Sequence, residues 1–362
     1  MLILVVVAVS TACEPPRGAA VIGYAFPRDE QRAALVAAAA LPLDTTSGAI
    51  RVVGDWDSGG TESTVEIARA RRLAALPGVM GVVGHAGSRG TLITAPIYAD
   101  AGIPLVVPTA NSGRLWEIGK WVFPLAPTDS VEAEFLGAVA VDGLKASRIA
   151  VYFINTAYGT GIRSELRRWL ATRGLQPVDE VPYVVGADLE TLLEASLKRS
   201  KPDLAVLVGR RIEVAQMAAI IFEQDPSIRL LAADGAYDQL ADLLLAAGPA
   251  ADSLYLTAFW VPDTTVAIQR DFVRRYRLET GREPTAFEAM RYDAVMVLAQ
   301  AIREVGPDRE GIRDWLHSLG GSRPPYAGVT GDVSFRPGAR RNLVLVRLRE
   351  GQPVVVPEDG VW

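Results

Sequence analysis

The sequence predicts an α/β protein built from two doubly wound lobes with parallel sheets. Short runs rich in Val, Ile and Leu alternate along the chain with longer amphipathic segments. Most of these runs lack a strict apolar–polar alternation, which is typical of parallel strands covered on both faces. The pattern is interrupted at two prolines within residues 123–130 and then resumes. Such β-α repetition requires right-handed crossovers and favours open, doubly wound sheets.

The first unit runs from about Gly18 to Ala126 and the second from about Val131 to Thr257. Each contains several apolar runs of strand length bounded by turn residues. The predicted strands lie within AAVIGYAF, AIRVVGDW, VMGVVG, IPLVVP, RIAVYFI, PVDEVPYVV, DLAVLVG, IRLLAAD and DSLYLTAF.

Helical segments connect these strands and also follow the second unit. Residues 211–222 and 287–302 place apolar side chains on one helical face. Two long helices, at 264–280 and 284–305, follow each other with no strand between them, so they need an existing sheet to pack on. The C-terminal segment from Gly331 to Val356 predicts a hairpin whose turn is REGQP.

Composition excludes several classes of function. The 362 residues include 37 Lys and Arg and 42 Asp and Glu, and this net charge of −5 argues against a nucleic-acid-binding surface. The basic run RARR at 69–72 is interpreted as a solvated helix face. One cysteine and two histidines cannot form a Cys/His zinc cluster, and no metal site is expected. No glycine-rich phosphate loop follows a predicted strand, so no nucleotide cofactor is expected.

The N-terminal segment resembles a secretion signal. Its twelve mostly apolar residues are too few to span a bilayer. Small residues precede Cys13, as at a bacterial lipoprotein processing site, although Ser10 replaces the usual leucine and no basic residue opens the segment. We expect residues 1–17 to be a signal peptide and lipoprotein N-terminus with Cys13 lipidated. The alternatives are a plain secretory signal and a buried first strand.

Ser88, in the turn AGSRG between a predicted strand and helix, has two interpretations. As the nucleophile of an A-x-S-x-G elbow it would need a downstream base, and only His317, in a predicted short amphipathic helix, is available. As a binding residue it needs only the free N–H groups of a helix N-terminus, which favour a carboxylate. The segment VPTANSGRLW offers a second such junction. Alternatively, Ser88 and Ser112 simply cap helices.

Together, the two junctions from Val82 to Trp116 resemble the leucine/isoleucine/valine-binding family of type I periplasmic binding proteins, the solute receptors of ABC importers. The VVG strand, the G-H-x-x-S turn, IYADAGIP and the P-x-A-[NT] turn occur in the order and spacing of that family. The similarity extends over about residues 19–346. It implies two lobes joined by a three-strand hinge, with lobe 1 at 18–126 and 258–335 and lobe 2 at 127–257 and 336–362, and residues 1–17 outside both.

The resemblance implies roles for residues of lobe 1. Ser88 matches the serine that binds the ligand carboxylate. Thr109, Ala110 and Asn111 match a second ligand-binding turn, in which Asn111 replaces the usual threonine.

In lobe 2, Tyr158 matches a tyrosine that closes over the ligand, and Asp234 matches an acidic residue that pairs with the ligand ammonium. Arg210 stands where branched-chain binders often have tyrosine, so it favours a carboxylate or amide on the ligand, unless it points outward. Aromatic residues at strand ends could line the side-chain pocket or belong to lobe packing. They are Tyr24, Trp56, Phe259 and Trp260.

The resemblance therefore predicts an extracytoplasmic solute-binding protein of an ABC importer, which closes its lobes around an amino acid or related amide and performs no catalysis. The expected partners are a membrane permease and, through a lipid anchor, the membrane itself; a monomer is expected. Two alternatives remain. One is a non-transport lipoprotein of the same fold, such as a sensor or a cell-wall synthase activator. The other is a serine hydrolase that uses Ser88.

Overall fold

Two β-sheets, each covered by helices on both faces, form the core of the chain in the computed structural model. The structure describes residues 20–27, 30–41, 49–54, 62–238, 240–336 and 343–357. The predicted signal segment with Cys13, and also Trp56, lie outside the described residues. Within these ranges, no helix is both long and apolar enough to cross a membrane.

The first sheet is parallel throughout. In chain order its elements are β1 (Ala20–Ala25), α1 (Arg32–Ala40), β2 (Ile50–Gly54), α2 (Ser63–Ala74), β3 (Val79–Gly84), α3 (Ser88–Asp100), β4 (Leu105–Val107) and β5 (Val122–Pro124). The strands lie in the order β2-β1-β3-β4-β5. Helix α1 packs on one face of the sheet, and α2 and α3 pack on the other.

The second sheet repeats this arrangement. Its elements are α4 (Asp129–Ala138), β6 (Ile149–Ile154), α5 (Ala157–Thr172), β7 (Asp179–Tyr183), α6 (Leu189–Ser200), β8 (Leu204–Val208), α7 (Arg211–Gln224), β9 (Arg229–Ala232), α8 (Leu240–Ala247) and β10 (Leu254–Ala258). The parallel strands lie in the order β7-β6-β8-β9-β10, the same winding as in the first sheet. Helices α4 and α5 cover one face and α6 to α8 the other.

After β10 the chain returns to the first sheet and then to the second. The remaining elements are α9 (Ala267–Thr280), α10 (Ala286–Val305), α11 (Arg309–Ser318), β11 (Tyr326–Gly328), β12 (Gly331–Val333), β13 (Val344–Arg349) and β14 (Gln352–Val356). Helix α10 packs on β1 and β3, as the absence of a strand between the two long helices required. A Cβ on Gly81 would lie 2.7 Å from Leu298, so glycine permits this close approach. We call each sheet with its helices a lobe.

The C-terminal hairpin forms at the predicted turn but spans only β13 and β14, because Gly331–Val333 at the start of the predicted segment pairs with β11 instead. Strand β13 pairs antiparallel with both β10 and β14, which extends the second sheet. Glu350 and Gly351 in its turn both have positive φ, at 50° and 73°, as a two-residue primed turn requires.

Each of the nine predicted strand segments contains a strand, but two features were missed. Strand β5 was taken for part of an interruption because it has three residues and ends at Pro124. Proline is tolerated there because β5 is the edge of its sheet. The small hairpin of β11 and β12 was also missed. In addition, the junction after β4 leads not into an α-helix but into a 3₁₀ helix, Gly113–Glu117.

Candidate functional site

The carboxyl ends of the strands in both lobes carry the predicted site residues. Counted along the chain within each lobe, the parallel strands lie in the order 2-1-3-4-5, so the winding direction reverses between the first and third strands. Ligands bind at such switch points. In the first lobe, Ser88 begins α3 directly after β3, and Asn111 follows β4. In the second lobe, Tyr158 lies in the first turn of α5 after β6, and Asp234 follows β9.

In the first lobe the two junctions are linked by side chains. Ser88 is buried, and its hydroxyl donates to Asn111 Oδ1 at 3.4 Å. Thr109 Oγ1 donates to the carbonyl oxygen of Ala86 at 3.2 Å, which holds the second turn against the first. The residue at the N-cap of α3 is Gly87, and neither Ser88 nor Ser112 makes a side-chain capping bond. Helix capping therefore does not account for the two serines.

Glu132 connects the two lobes and was not identified from the sequence. It lies in the first turn of α4 and is fully buried. Its Oε2 accepts a hydrogen bond from Asn111 Nδ2 at 3.3 Å, and its Oε1 accepts from the backbone N–H of Asp234 and from Thr257 Oγ1, both at 2.8 Å. A hydrogen-bonded path thus runs from Ser88 through Asn111 and Glu132 to Asp234.

Tyr158 and Asp234 are held together in the second lobe. The Tyr158 hydroxyl donates to Asp234 Oδ1 at 2.7 Å and accepts from the backbone N–H of Gly235 at 3.1 Å. A Cβ on Gly235 would lie 2.7 Å from the Gly209 carbonyl oxygen and 3.0 Å from the Tyr158 hydroxyl. Glycine at this position therefore lets the loop after β9 pack closely against the start of α5.

Burial dominates the electrostatics of this group. It raises the pKa of Glu132 well above its usual range, and the neighbouring Asp234 carboxylate raises it further. Burial also raises the pKa of Asp234, against the effect of its hydrogen bonds from Glu132, Tyr158 and Gly235. Asp129, one turn before Glu132, has its pKa raised to about 8 by burial and by the charges of Asp234 and Glu165. These carboxyl groups therefore hold their protons more tightly than usual, and a cation beside them would favour their ionised forms.

Other predicted residues are placed differently. Arg210 is exposed at the N-cap of α7, and its contact with the ligand stays a prediction. Tyr24 is fully buried in the first lobe, packs against the Phe26 ring at a tilt and donates to the Glu30 carbonyl oxygen at 3.1 Å. Phe259 and Trp260 are also buried in first-lobe apolar clusters. Ala110, within the second turn, is buried in an apolar cluster of the first lobe. The contacts of these aromatic residues are those of lobe packing.

The histidines do not provide Ser88 with a base. His85 is fully buried, and its ring nitrogens contact Glu66 Oε2 and the Tyr98 hydroxyl. Burial lowers the pKa of His85, despite the nearby Glu66 carboxylate. His317 lies in α11, as predicted, and its Nε2 lies 2.8 Å from the Lys120 carbonyl oxygen. Neither histidine makes the contact that a serine hydrolase requires.

Comparisons with known proteins bear on the family and the fold of the chain. A family model described as "Periplasmic binding protein" matches residues 50–352. Among curated proteins, the Leu/Ile/Val-binding protein homolog 1 of Brucella suis biovar 1 (strain 1330) is 27% identical over 271 residues, which cover 74% of this chain and 71% of that protein. The resemblance inferred from residues 82–116 is confirmed.

Solved structures share the fold. A leucine binding protein from Thermotoga maritima superposes with a TM-score of 0.82 at 22% identity, covering 93% of this chain and 97% of that one. A solute binding protein of an ABC transporter from Rhodopseudomonas palustris, in complex with benzoate, has a TM-score of 0.79 at 17% identity, covering 94% and 96%. The predicted fold class, with two parallel-sheet lobes, is confirmed.

Proposed function

Because the chain belongs to the periplasmic binding protein family, we propose that it captures a small solute between its two lobes and delivers it to the permease of an ABC importer. The family consists of binding proteins and implies an extracytoplasmic location. We further propose that residues 1–17 form a signal and lipoprotein N-terminus, that Cys13 carries a lipid anchor, and that the protein acts as a monomer. These proposals rest on the sequence of the N-terminus and on the family resemblance.

The proposed ligand is an α-amino acid or a related amide. A zwitterion enclosed between lobes needs partners for both charges, since an unpaired buried charge is very costly. In this proposal, Ser88, the Thr109 turn and the N-terminus of α3 bind the carboxylate, and Asp234 with Tyr158 binds the ammonium. The observation that carries the proposal is the hydrogen-bonded path from Ser88 to Asp234, because it joins groups for both charges across the lobes.

We propose that binding closes the lobes about the segments that connect them. The predicted boundaries, 18–126 with 258–335 and 127–257 with 336–362, place the hinge near Ala126, Thr257 and Phe335. Thr257 already bonds to Glu132, so one connecting strand is tied directly to the site. A change of lobe angle would therefore alter the contacts of Glu132.

A thermal-shift screen of the full chain in mild detergent against the common amino acids and their amides tests the proposal. A ligand that binds only the native state raises the free energy of unfolding by about 2.7 kcal/mol at 100 times its dissociation constant. We expect at least one amino acid to stabilise the protein and Asp234→Asn to abolish the effect. Asp252→Asn, an exposed aspartate of the same lobe, is the matched control and should retain it. Stabilisation by no amino acid and no amide would contradict the proposal.

A further inference from the structure

Asp129 is a buried acceptor that the proposed ammonium site does not use. The residue is 5% exposed, and its Oδ1 has no hydrogen-bond partner. It begins α4, and its backbone N–H donates to the Asn111 carbonyl oxygen at 2.8 Å. Its Oδ2 lies against the beginning of α5, where a Cβ on Gly161 would be 2.3 Å away. Asp129 thus lies between the second turn of the first lobe and the helix that carries Tyr158.

No basic side chain compensates this part of the site. Within the described ranges, none of Asp129, Glu132 and Asp234 takes part in an ion pair with Lys, Arg or His. The charges that act on Asp129 are those of other carboxylates, Asp234 and Glu165. The charge of Asp234 thus acts on both Asp129 and Glu132, and Glu132 also accepts a hydrogen bond from the backbone N–H of Asp234.

Buried carboxyl groups in this situation are neutralised by protons or by a cation from outside. The α-ammonium of a simple amino acid supplies one positive charge, and the proposed function assigns it to Asp234. A second positively charged nitrogen would provide the donor that Asp129 Oδ1 lacks. A metal ion is a poorer candidate, because no group of three His, Cys, Asp or Glu side chains in the described part of the chain is arranged to hold one.

We propose that Asp129, together with the Glu132–Asp234 pair, forms a second cation subsite, and that the preferred ligands are diamino acids. This inference rests on the proposed amino-acid-binding function and narrows it. The α-carboxylate of such a ligand binds Ser88 and the Thr109 turn, and its α-ammonium group binds Asp234, as in the proposed function. Its second ammonium group binds Asp129. When the second ammonium group replaces the proton on Asp129, the carboxyl groups of Asp129, Glu132 and Asp234 all have partners.

Isothermal titration of the full chain in mild detergent tests this with two matched ligands. L-Lysine and L-norleucine have the same carbon chain and differ only in the ε-ammonium group of lysine. We expect lysine to bind at least tenfold more tightly than norleucine at pH 7. Equal affinities, or tighter binding of norleucine, would overturn the second cation subsite.

Variants locate the effect. Asp129→Asn keeps the shape of the side chain and should reduce the affinity for lysine at least tenfold, while the affinity for norleucine changes less than twofold. Asp252→Asn removes an exposed carboxylate of the same lobe that is not among the charges acting on Asp129, and it should change neither affinity more than twofold. Equal losses for both ligands in Asp129→Asn would mean that this residue only positions the site, and would also overturn the proposal.

The binding experiments distinguish failure of the second cation subsite from failure of amino-acid binding as a whole. If a neutral amino acid binds in a manner that depends on Asp234 but lysine does not bind, amino-acid capture stands and the second cation subsite is refuted. If no amino acid binds to a chain whose circular dichroism and cooperative melting show that it is folded, both proposals are refuted. A cooperative melt of Asp129→Asn near that of the parent chain excludes loss of folding as the cause of weaker binding.

Discussion

At the scale of single residues, Glu132 holds the candidate site together, although its sequence position indicates only a helix start. An acidic residue in the first turn of a helix is favoured by the helix dipole, so the sequence offers a sufficient structural reason for it. The structure instead buries Glu132 and gives it three hydrogen-bond donors from three other elements. These donors come from distant parts of the chain, and no local pattern could have brought them together.

The raised pKa of Asp129 predicts a pH-dependent stability. Its pKa is 3.8 in the reference state and about 8 in the fold, so the folded state holds the proton more tightly between these values. The free energy of unfolding therefore falls as the pH rises from about 4 to 8. We expect Asp129→Asn to reduce this fall by on the order of 1 kcal/mol or more, as measured by urea unfolding at pH 5 and pH 8.

Asp252→Asn, at an exposed position, is the control for this measurement and should leave the pH dependence unchanged. Glu132 and Asp234 also have raised pKa values, so part of the fall should persist in Asp129→Asn. An identical fall in parent and Asp129→Asn would show that the Asp129 carboxyl is ordinary in the fold.

At the scale of elements, apolar runs and helical periodicity identified most strands and the long helices, because these patterns follow directly from burial on two faces or on one. Short elements were missed, since three residues such as those of β5 carry too little pattern. The run RARR illustrates a different limit. Arg69 is fully buried and pairs with Glu66 at 3.2 Å, whereas Arg71 and Arg72 are exposed. Only part of the predicted solvated face is solvated.

The start of α5 should tolerate no side chain at Gly159. A Cβ there would lie 2.0 Å from the backbone carbonyl oxygen of Ile154, which cannot move away without distorting β6. We expect Gly159→Ala to lower the free energy of unfolding by about 1–3 kcal/mol, as measured by chemical denaturation. Gly113→Ala, where a Cβ would meet nothing within 4 Å, is the matched control and should change it by less than about 0.5 kcal/mol.

The hairpin of β11 and β12 should depend on one side chain of α10. Asp293 is fully buried and accepts from the backbone N–H groups of Val329 and Thr330, both at 2.7 Å, and from the Thr330 hydroxyl at 2.6 Å. Hydrogen bonds to charged groups contribute about 1.5–3 kcal/mol each. We expect Asp293→Ala to cost about 3 kcal/mol or more in chemical denaturation. Asp332→Ala, exposed on the same hairpin, should cost little; equal losses would contradict this anchoring role.

At the scale of the whole molecule, the lobes also meet away from the proposed ligand site. Asp238, in the loop after β9, lies 3.5 Å from Arg211 of its own lobe. It also faces α10 of the other lobe, through a hydrogen bond with Thr285 and the charge of Arg291. Burial nevertheless raises its pKa. This contact connects the lobes and should favour the arrangement in which they touch.

Removal of this contact should loosen the lobes. We expect Asp238→Ala to increase the radius of gyration of the unliganded protein in small-angle X-ray scattering. The apparent ligand affinity of the variant should fall several-fold, because a smaller fraction of its molecules would have the lobe arrangement that binds ligand. Asp242→Ala is the control. Asp242 also pairs with Arg211, at 3.0 Å, but it takes no part in the contact between Asp238 and α10. The same expansion in both variants would refute an interlobe role for Asp238.

The sequence by itself determined the fold class, the places where strands end in polar turns and the family, since these depend on local patterns of burial and on short motifs such as G-H-x-x-S. Tertiary structure decided the rest. It brought Ser88, Asn111, Glu132 and Asp234 into one hydrogen-bonded path, and buried Asp129 beside them without a partner for Oδ1. A carboxyl group acquires its pKa and its partners from neighbours that are distant in sequence, so only the packed lobes reveal what it can bind.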